Sequence, residues 1–178
     1  LPFVLTAGQQ KAVGELLGDM QKNYPMNRLL EGDVGSGKTI VAAIGAFVAF
    51  LNGYQTVIMA PTQILAQQHF NTLSELFSAY KIRVGLITSE VVIKDLGRID
   101  IFVGTHALIH KKINFDKVAL VVIDEQHRLG VEQRAHLVKK IGRNIYSPHT
   151  LTMTATPIPR TVALTAYGDL DLSLLSEL

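Results

Sequence analysis

The sequence has no cysteine, no long apolar run and no leader-like start, and each absence excludes a class of protein. Without cysteine, the chain cannot form a disulfide framework, a Cys-ligated zinc site or a thiol nucleophile, which fits a reducing, cytosol-like compartment. The longest apolar run covers residues 40–51, whereas a membrane-spanning helix needs about 20 residues. The first residues lack the basic start and cleavage-type tail of a signal peptide. We therefore expect no membrane segment, and the missing initiator methionine suggests an excised piece of a longer chain.

Charge is nearly balanced, with 17 Lys and Arg against 15 Asp and Glu, but the basic residues cluster in the middle of the chain. Residues 81–143 hold 12 Lys and Arg against 7 Asp and Glu. A solvated surface explains this surplus as well as a nucleic-acid surface does, so charge alone identifies no partner. The 48% of hydrophobic residues can build a substantial core, and no repeat or linker divides the sequence. We predict one domain over residues 1–178.

Short β-rich runs alternate with longer helical segments, a pattern typical of a parallel sheet covered by helices. The predicted strands cover residues 27–30, 56–59, 83–87, 99–103, 120–123 and 151–153, and the predicted helices cover residues 7–22, 37–52, 63–80, 131–142 and 159–166. The expected fold is an α/β domain of three layers with a central, mainly parallel sheet. Because ligands bind beyond the carboxyl ends of such strands, we expect the loops there to converge on one face.

A glycine-rich loop follows the first predicted strand and opens directly into a helical run. Its sequence matches the pattern G-x-x-x-x-G-K-[ST] in the strand, loop and helix context that the pattern requires. Backbone N–H groups of such a loop and the positive end of the helix together cradle phosphates. Lys38 can reach the β and γ phosphates, and Thr39 offers a hydroxyl to Mg²⁺. The predicted phosphate loop consists of Gly32, Asp33, Val34, Gly35, Ser36, Gly37, Lys38 and Thr39.

A pair of carboxylates, Asp124 and Glu125, ends the most apolar of the predicted strands. An isolated Asp-Glu pair is more often a solvated turn, but beside a phosphate loop a carboxylate can anchor the metal of a Mg²⁺–nucleotide complex. We assign this role to Asp124. Glu125 is then the general base that orients and deprotonates the attacking water. Lys38, Asp124 and Glu125 form the predicted catalytic set, and the predicted metal ligands are Thr39 and Asp124.

The base of the nucleotide is predicted to be adenine. The sequence has no Asn-Lys-x-Asp element of the kind that reads guanine. Gln9 precedes the phosphate loop by one helix, and its amide can pair with an adenine edge through a donor and an acceptor. Thr6, three residues before Gln9, is a candidate for the same role, but it is equally well explained as the N-cap of the helix that follows. ATP and Mg²⁺ are therefore the expected cofactors.

Taken together, these motifs resemble the first motor domain of superfamily 2 helicases. Residues 5–9 resemble the adenine-sensing Q motif, residues 60–69 motif Ia, residues 104–109 motif Ib and residues 153–161 motif III. Two further stretches, residues 124–134 and 163–171, resemble the RecG-type branch-migration DNA helicases. The transcription-repair coupling factor shares much of this set but usually has a second Glu where this sequence has Gln126, so the RecG type is favoured.

The resemblance implies a RecA-like P-loop NTPase fold, ATP-driven translocation on duplex DNA and remodelling of stalled forks and Holliday junctions in recombination and repair. It also implies that a second RecA-like domain and a wedge domain belong to the same full-length chain, which we expect to be a monomer in the bacterial cytoplasm, associated with the nucleoid. Branched or forked DNA is the expected partner. The resemblance implies coupling roles for Gln126, His127, Thr154 and Thr156, and DNA-backbone contacts from Pro61, Thr62, Gly104, Thr105 and His106.

The resemblance also sets an expectation for the activity of these 178 residues alone. Arginine fingers in this family come from the second motor domain, and such a finger is worth about 10³- to 10⁵-fold in turnover for related reactions. We therefore expect the isolated chain to hydrolyse ATP very slowly. Three alternatives stay open: a translocase of the coupling-factor type, a non-catalytic P-loop nucleotide-binding module and a motor that acts on RNA.

Overall fold

The computed structural model describes residues 4–90, 99–110, 113, 115–124, 141, 147–156 and 170–175. Within them, the elements in chain order are α1 (Ala7–Met20), β1 (Asn27–Gly32), α2 (Lys38–Leu51), β2 (Gln55–Met59), α3 (Gln63–Leu76), β3 (Val84–Ile87), β4 (Ile101–Gly104), α4 (Ala107–His110), β5 (Val118–Asp124), β6 (His149–Thr154) and β7 (Asp171–Leu175). The predicted helices over residues 131–142, apart from residue 141, and 159–166 lie outside the described residues.

The seven described strands form one sheet in the order β3-β4-β2-β5-β6-β1-β7, and each neighbouring pair is parallel. Central strands of such a sheet are buried on both faces and therefore carry continuous apolar runs. Strand β5 fits this rule, since its residues from Leu120 to Ile123 are all fully buried. The predicted α/β fold is confirmed, with a sheet that is parallel throughout its described strands.

Two separate apolar clusters show that helices cover both faces of the sheet. Side chains alternate between the faces along a strand, and in β2 Ile58 belongs to one cluster while Val57 and Met59 belong to the other. The first cluster includes residues of α1, α2 and α3, and the second includes Leu108 of α4 and Ile141. The structure therefore has the three layers that the sequence pattern predicts.

Two described elements, β7 and α4, were not predicted, and α3 is shorter than expected. Strand β7 is an edge strand with a mixed burial pattern, paired with β1 only, and α4 has a single turn. Helix α3 ends at Leu76 rather than residue 80. The apolar pattern continues beyond that end because Phe77 and Tyr80 pack against Phe47 of α2, with ring centroids 6.1 Å and 5.1 Å from that of Phe47.

A buried ionic cluster joins α1, β1 and β7 at the amino ends of the strands. The Arg28 guanidinium donates to Asp19 Oδ2 from Nε at 2.7 Å and to Ser173 Oγ from Nη1 at 2.8 Å, and Glu15 Oε2 lies 3.4 Å from Nη1. Burial raises the pKa of the Asp19 carboxyl, but hydrogen bonds from Lys22 and Arg28 outweigh burial and hold that pKa below its usual value. Arg28 thus fixes the edge strand to the first helix.

Candidate active site

The predicted phosphate loop connects β1 to α2, as the sequence pattern requires. Gly35 and Gly37 have φ angles of 89° and 91°, in the region that side chains other than glycine rarely adopt. Helix α2 begins at Lys38, immediately after the second of these glycines. The first N–H groups of a helix have no carbonyl acceptor one turn earlier in the same helix. The backbone N–H groups of the loop and the N-terminus of α2 therefore lie next to each other, which is an arrangement that binds anions.

Gln9 ties the start of α1 to the phosphate loop. Thr6 is the N-cap of α1 and forms a capping box with Gln9, in which the Thr6 N–H donates to Gln9 Oε1 at 3.0 Å. The other end of the same amide, Nε2, donates to the Ser36 carbonyl oxygen at 2.9 Å. A Cβ added at Gly37 would collide with this Nε2. Thr6 is therefore a helix cap, and Gln9 contacts the loop through an amide that retains one N–H and one lone pair for a further partner.

Lys38 folds back over the loop that precedes it. Its ammonium donates to the carbonyl oxygens of Gly32 and Asp33, with Nζ–O distances of 2.6 Å and 2.8 Å. An ammonium has three N–H donors, so one remains for another acceptor. Both contacts are to backbone oxygens rather than to a carboxylate, which leaves the positive charge of Lys38 available to an anion in the pocket.

Asp124 lies at the carboxyl end of β5 and is paired with a histidine that our sequence analysis gave no role. His69 Nε2 lies 2.7 Å from Asp124 Oδ2, and each residue is 8% exposed. His69 belongs to α3 and shares the buried side of that helix with Ala66 and Leu73. The sequence did contain one signal for His69, which is a polar residue at a core position of an amphipathic helix. The spacing of residues could not identify Asp124 as its partner, because the two are 55 positions apart.

An open pocket of ≈ 490 Å³ lies beyond the carboxyl ends of β1, β5 and β6. It brings together loop residues, Asp124 and one face of α3. Among the described residues, no three His, Asp or Glu side chains converge as a metal cluster would. The residues that line the pocket are Val34, Gly35, Gly37, Lys38, Thr39, Pro61, Leu65, Gln68, His69, Thr72, Asp124, Met153 and Ala155.

The predicted DNA-contacting residues occupy two neighbouring loops. Pro61 and Thr62 follow β2, while Gly104 ends β4 and precedes Thr105 and His106; Met59 and Gly104 are paired across the sheet. The Thr62 hydroxyl accepts from Leu65 N at 3.3 Å and caps α3. A Cβ at Gly104 would collide with the Ile87 carbonyl oxygen, so this strand end requires glycine. Of these residues only Pro61 also lines the pocket.

The predicted coupling residues Thr154 and Thr156 form a turn at the end of β6. Their hydroxyl oxygens lie 3.0 Å apart, and the Thr156 N–H donates to Thr154 Oγ1 at 3.2 Å. Thr154 is fully buried, whereas its neighbours Met153 and Ala155 line the pocket. The turn therefore joins the pocket wall to the chain that leaves β6.

Three predicted site residues, Glu125, Gln126 and His127, lie outside the described residues, so their roles stay predictions. Gly32, Asp33 and Ser36 belong to the loop but do not line the pocket. Gly32 instead approaches β7, where a Cβ on it would come within 2.7 Å of Leu175 Cβ. In the part of the chain that is described, no helix combines the length and apolar character needed to cross a membrane.

Comparison with known proteins identifies the family of the chain and its fold. A model of the DEAD/DEAH box helicase family matches residues 6–165. The chain is 49% identical to the ATP-dependent DNA helicase RecG of Aquifex aeolicus over 188 residues, which covers 100% of the chain and 23% of that protein. A solved structure of RecG bound to a three-way DNA junction matches with a TM-score of 0.80 and 43% identity, covering 98% of this chain and 24% of that one.

A more distant structure supports the fold alone. Saccharomyces cerevisiae Dbp5, solved with ADP and partner proteins, matches with a TM-score of 0.71 at 18% identity and covers 98% of this chain and 53% of that one. The chain spans about a quarter of the length of the curated relatives it matches. The resemblance to RecG-type helicases and the RecA-like fold are thus confirmed. The chain belongs to the DEAD/DEAH box helicase family.

Proposed function

We propose that this chain is the ATP-binding motor domain of a RecG-type DNA helicase that remodels branched DNA. The observation that carries the proposal is the convergence of Lys38, Thr39 and Asp124 on one pocket beyond the carboxyl ends of the strands. A phosphate loop facing a carboxylate across such a pocket is the arrangement used for nucleotide hydrolysis. The match with RecG over the whole chain supports the choice of a DNA helicase within the family.

In this proposal, Lys38 binds the β and γ phosphates through its ammonium, and loop N–H groups surround the phosphate oxygens. Glu125 follows Asp124 directly in the chain and serves as the general base for the attacking water. Gln9 binds the adenine while its amide stays bonded to Ser36. Gln126, His127, Thr154 and Thr156 couple the state of the nucleotide to DNA binding.

The donor set of the pocket suits Mg²⁺. Magnesium prefers oxygen ligands and is commonly held by one or two protein groups together with substrate phosphates. The Thr39 hydroxyl and the Asp124 carboxylate supply such oxygens at the same pocket as Lys38. When bound, Mg²⁺ neutralises charge on the phosphates. We assign Thr39 and Asp124 as its protein ligands.

We further propose that the loops after β2 and β4 bind the DNA backbone. Short polar loops can donate N–H and hydroxyl groups to phosphates without reading bases, and the two loops adjoin because β2 and β4 are paired. The proposed contacts come from Pro61, Thr62, Gly104, Thr105 and His106. RecG itself has been solved on a three-way DNA junction. We infer a branched or forked DNA substrate, a second RecA-like domain and a wedge domain in the full-length chain, and a monomer at the nucleoid in the bacterial cytoplasm.

The test compares the full-length protein with its Lys38→Ala and Glu125→Gln variants. Binding of a fluorescent ATP analogue with Mg²⁺ is measured in competition with ATP and GTP, and hydrolysis is measured with and without three-way junction DNA. We expect Lys38→Ala to abolish binding. We expect Glu125→Gln to bind as wild type does but to hydrolyse ATP about 10²- to 10⁴-fold more slowly. Lys81→Ala is the matched control. It removes an exposed positive charge that lies before the amino end of β3, whereas the pocket lies beyond the carboxyl ends of the strands.

The non-catalytic module, the RNA motor and the assignment of adenine each have their own outcome in this experiment. Lys38-dependent nucleotide binding without turnover above background in wild type, with or without DNA, would support a non-catalytic nucleotide-binding module. Stimulation by a junction made of RNA, but not by the same junction made of DNA, would support an RNA motor. Binding that GTP displaces as well as ATP does would contradict the assignment of adenine.

A further inference from the structure

The carboxylate proposed to hold the metal has a second partner inside the protein. His69 Nε2 and Asp124 Oδ2 are 2.7 Å apart, a short distance for a nitrogen–oxygen hydrogen bond. The two residues are 55 positions apart and come from α3 and β5, so packing of the helix against the sheet creates this contact. Both side chains line the nucleotide pocket as well as contacting each other.

The chemistry of the pair fixes the direction of the hydrogen bond. An ionised carboxylate only accepts, so the His69 ring carries its proton on Nε2 and donates it to Asp124 Oδ2. The bond engages one of the two carboxylate oxygens and leaves the other for a different partner. Since both residues are buried, little solvent competes for the bond, and the carboxylate loses the freedom to rotate about its side-chain torsions.

The helix that carries His69 is itself held firmly. Thr62 caps its N-terminus, and Ala66 and Leu73, which flank His69 on the buried side, are both fully buried in the core. A histidine ring on a fixed helix has only two torsions, so its Nε2 points to a defined position. The cost of burying a polar ring in this core is offset by the bond to Asp124.

We propose that His69 is a positioning residue that orients Asp124 for Mg²⁺, an inference that rests on the proposed function of the pocket. Carboxylates and histidines that bind metals are commonly oriented by such outer hydrogen bonds, and losing one typically costs 10- to 100-fold in metal affinity. In this role His69 touches neither metal nor nucleotide. It acts through Asp124 alone, and removing its donor weakens the metal without weakening the nucleotide.

The experiment compares His69→Gln with His69→Met in the full-length protein. These two side chains have similar length, flexibility and helix propensity, but only glutamine places an N–H donor where the histidine Nε2 stands. Fluorescent ADP is first bound in EDTA, and its affinity is recorded. Mg²⁺ is then titrated into the saturated complex, and the midpoint of the fluorescence change is read. Asp124→Asn serves as the reference for a damaged metal site, and Gln67→Met, on the exposed side of α3, is the control for methionine in this helix.

We expect His69→Met to raise the Mg²⁺ midpoint about 10- to 100-fold while its ADP affinity in EDTA equals that of wild type. His69→Gln should restore the midpoint to near the wild-type value. The inference is overturned if His69→Met has the wild-type Mg²⁺ midpoint, or if the glutamine and methionine variants have the same midpoint. It is also overturned if the ADP affinity of His69→Met in EDTA falls by as large a factor as its Mg²⁺ midpoint rises, because that result would indicate a role in packing only.

A different result would overturn the proposed function instead. If wild type binds ADP in EDTA but responds to Mg²⁺ no differently from Asp124→Asn, the pocket has no metal site at Asp124, and the inference fails with that assignment. If wild type binds no nucleotide at all, the function of the pocket fails before His69 is tested.

Discussion

Gly37 is the residue at which Gln9 of α1 and the glycine-rich loop contact each other. Its φ of 91° lies in the left-handed region, and any side chain there would meet the amide of Gln9, which donates to the Ser36 carbonyl oxygen at 2.9 Å. A glycine at this position therefore serves two purposes. It allows the loop to turn, and it gives Gln9 the space to hold the loop in place.

We predict that Gly37→Ala weakens binding of a fluorescent ATP analogue by at least about tenfold. Losing a hydrogen bond costs about 0.5–1.5 kcal/mol, and forcing alanine into the left-handed region costs about 1–2 kcal/mol. Gly53→Ala is the control, because Gly53 has a φ of 78° with open space around its Cβ position and shares the strain without the collision. Equal affinities for the two variants would refute a specific role for the contact between Gly37 and Gln9.

At the scale of elements, the sequence predicted six of the seven described strands, including the edge strand β3, but missed the edge strand β7. Strand β5 was predictable because a run of apolar residues without alternation indicates burial on both faces. Strand β7 was not, because an edge strand with Asp171 and Ser173 among its leucines has no such signature and pairs only with β1. Its place in the sheet depends on contacts with residues more than 140 positions away, as in the bond from Arg28 to Ser173.

The candidate site divides in the same way. The position of the glycine-rich loop between β1 and α2 could be predicted because its turn depends on local backbone geometry, which the spacing of Gly35, Gly37 and Lys38 encodes. The position of Asp124 at the carboxyl end of β5 could be predicted from the apolar strand that precedes it. His69 could not be assigned to it, because their contact depends on where α3 packs on the sheet, and that position is set by the whole apolar core.

We predict that Arg28→Met loosens α1 and β7 without affecting the rest of the sheet. The variant leaves the buried Asp19 carboxylate without its guanidinium partner, and breaking a buried ion pair from one side costs about 3–5 kcal/mol. We expect the local stability of α1 and β7 to fall by about 3 kcal/mol, the lower end of this range, because Lys22 Nζ still lies 2.6 Å from Asp19 Oδ1. Hydrogen exchange of the full-length protein, read in peptides that cover α1 and β7, measures this loss as faster exchange.

Arg83→Met is the matched control for this experiment. Arg83 also faces an aspartate, with 3.8 Å between its Nε and Asp100 Oδ2, but its side chain is 48% exposed. The buried Asp100 carboxylate also accepts from the Arg83 backbone N–H at 3.0 Å, a bond that methionine keeps. Exposed ion pairs contribute about 0–1 kcal/mol, so this variant should change exchange little. If both variants accelerated exchange equally, or if Arg28→Met affected β2 and β5 as much as β7, the Arg28 cluster would not be a local clamp.

At the scale of the whole molecule, the candidate pocket is open and lies beyond the carboxyl ends of the strands. The phosphate loop, α3 and the ends of β5 and β6 line it, and the chain spans about a quarter of its RecG relatives. Phosphoryl transfer is catalysed mainly by charges placed around the transferring group. In the described part of the chain, Lys38 is the one cation that lines the pocket. If the pocket catalyses phosphoryl transfer, we therefore expect further positive charge to come from residues outside the described ones.

We predict that the 178-residue chain alone binds ATP with Mg²⁺ weakly and hydrolyses it about 10³- to 10⁵-fold more slowly than the full-length protein on junction DNA, the factor that an arginine finger contributes in related enzymes. Binding of a fluorescent ATP analogue that depends on Lys38 first establishes that the isolated chain is folded. Turnover is then measured for both proteins with and without three-way junction DNA. Turnover by the isolated chain that DNA stimulates to the full-length rate would mean that these residues contain a complete active site, and the assignment of the missing cation to a second motor domain would be wrong.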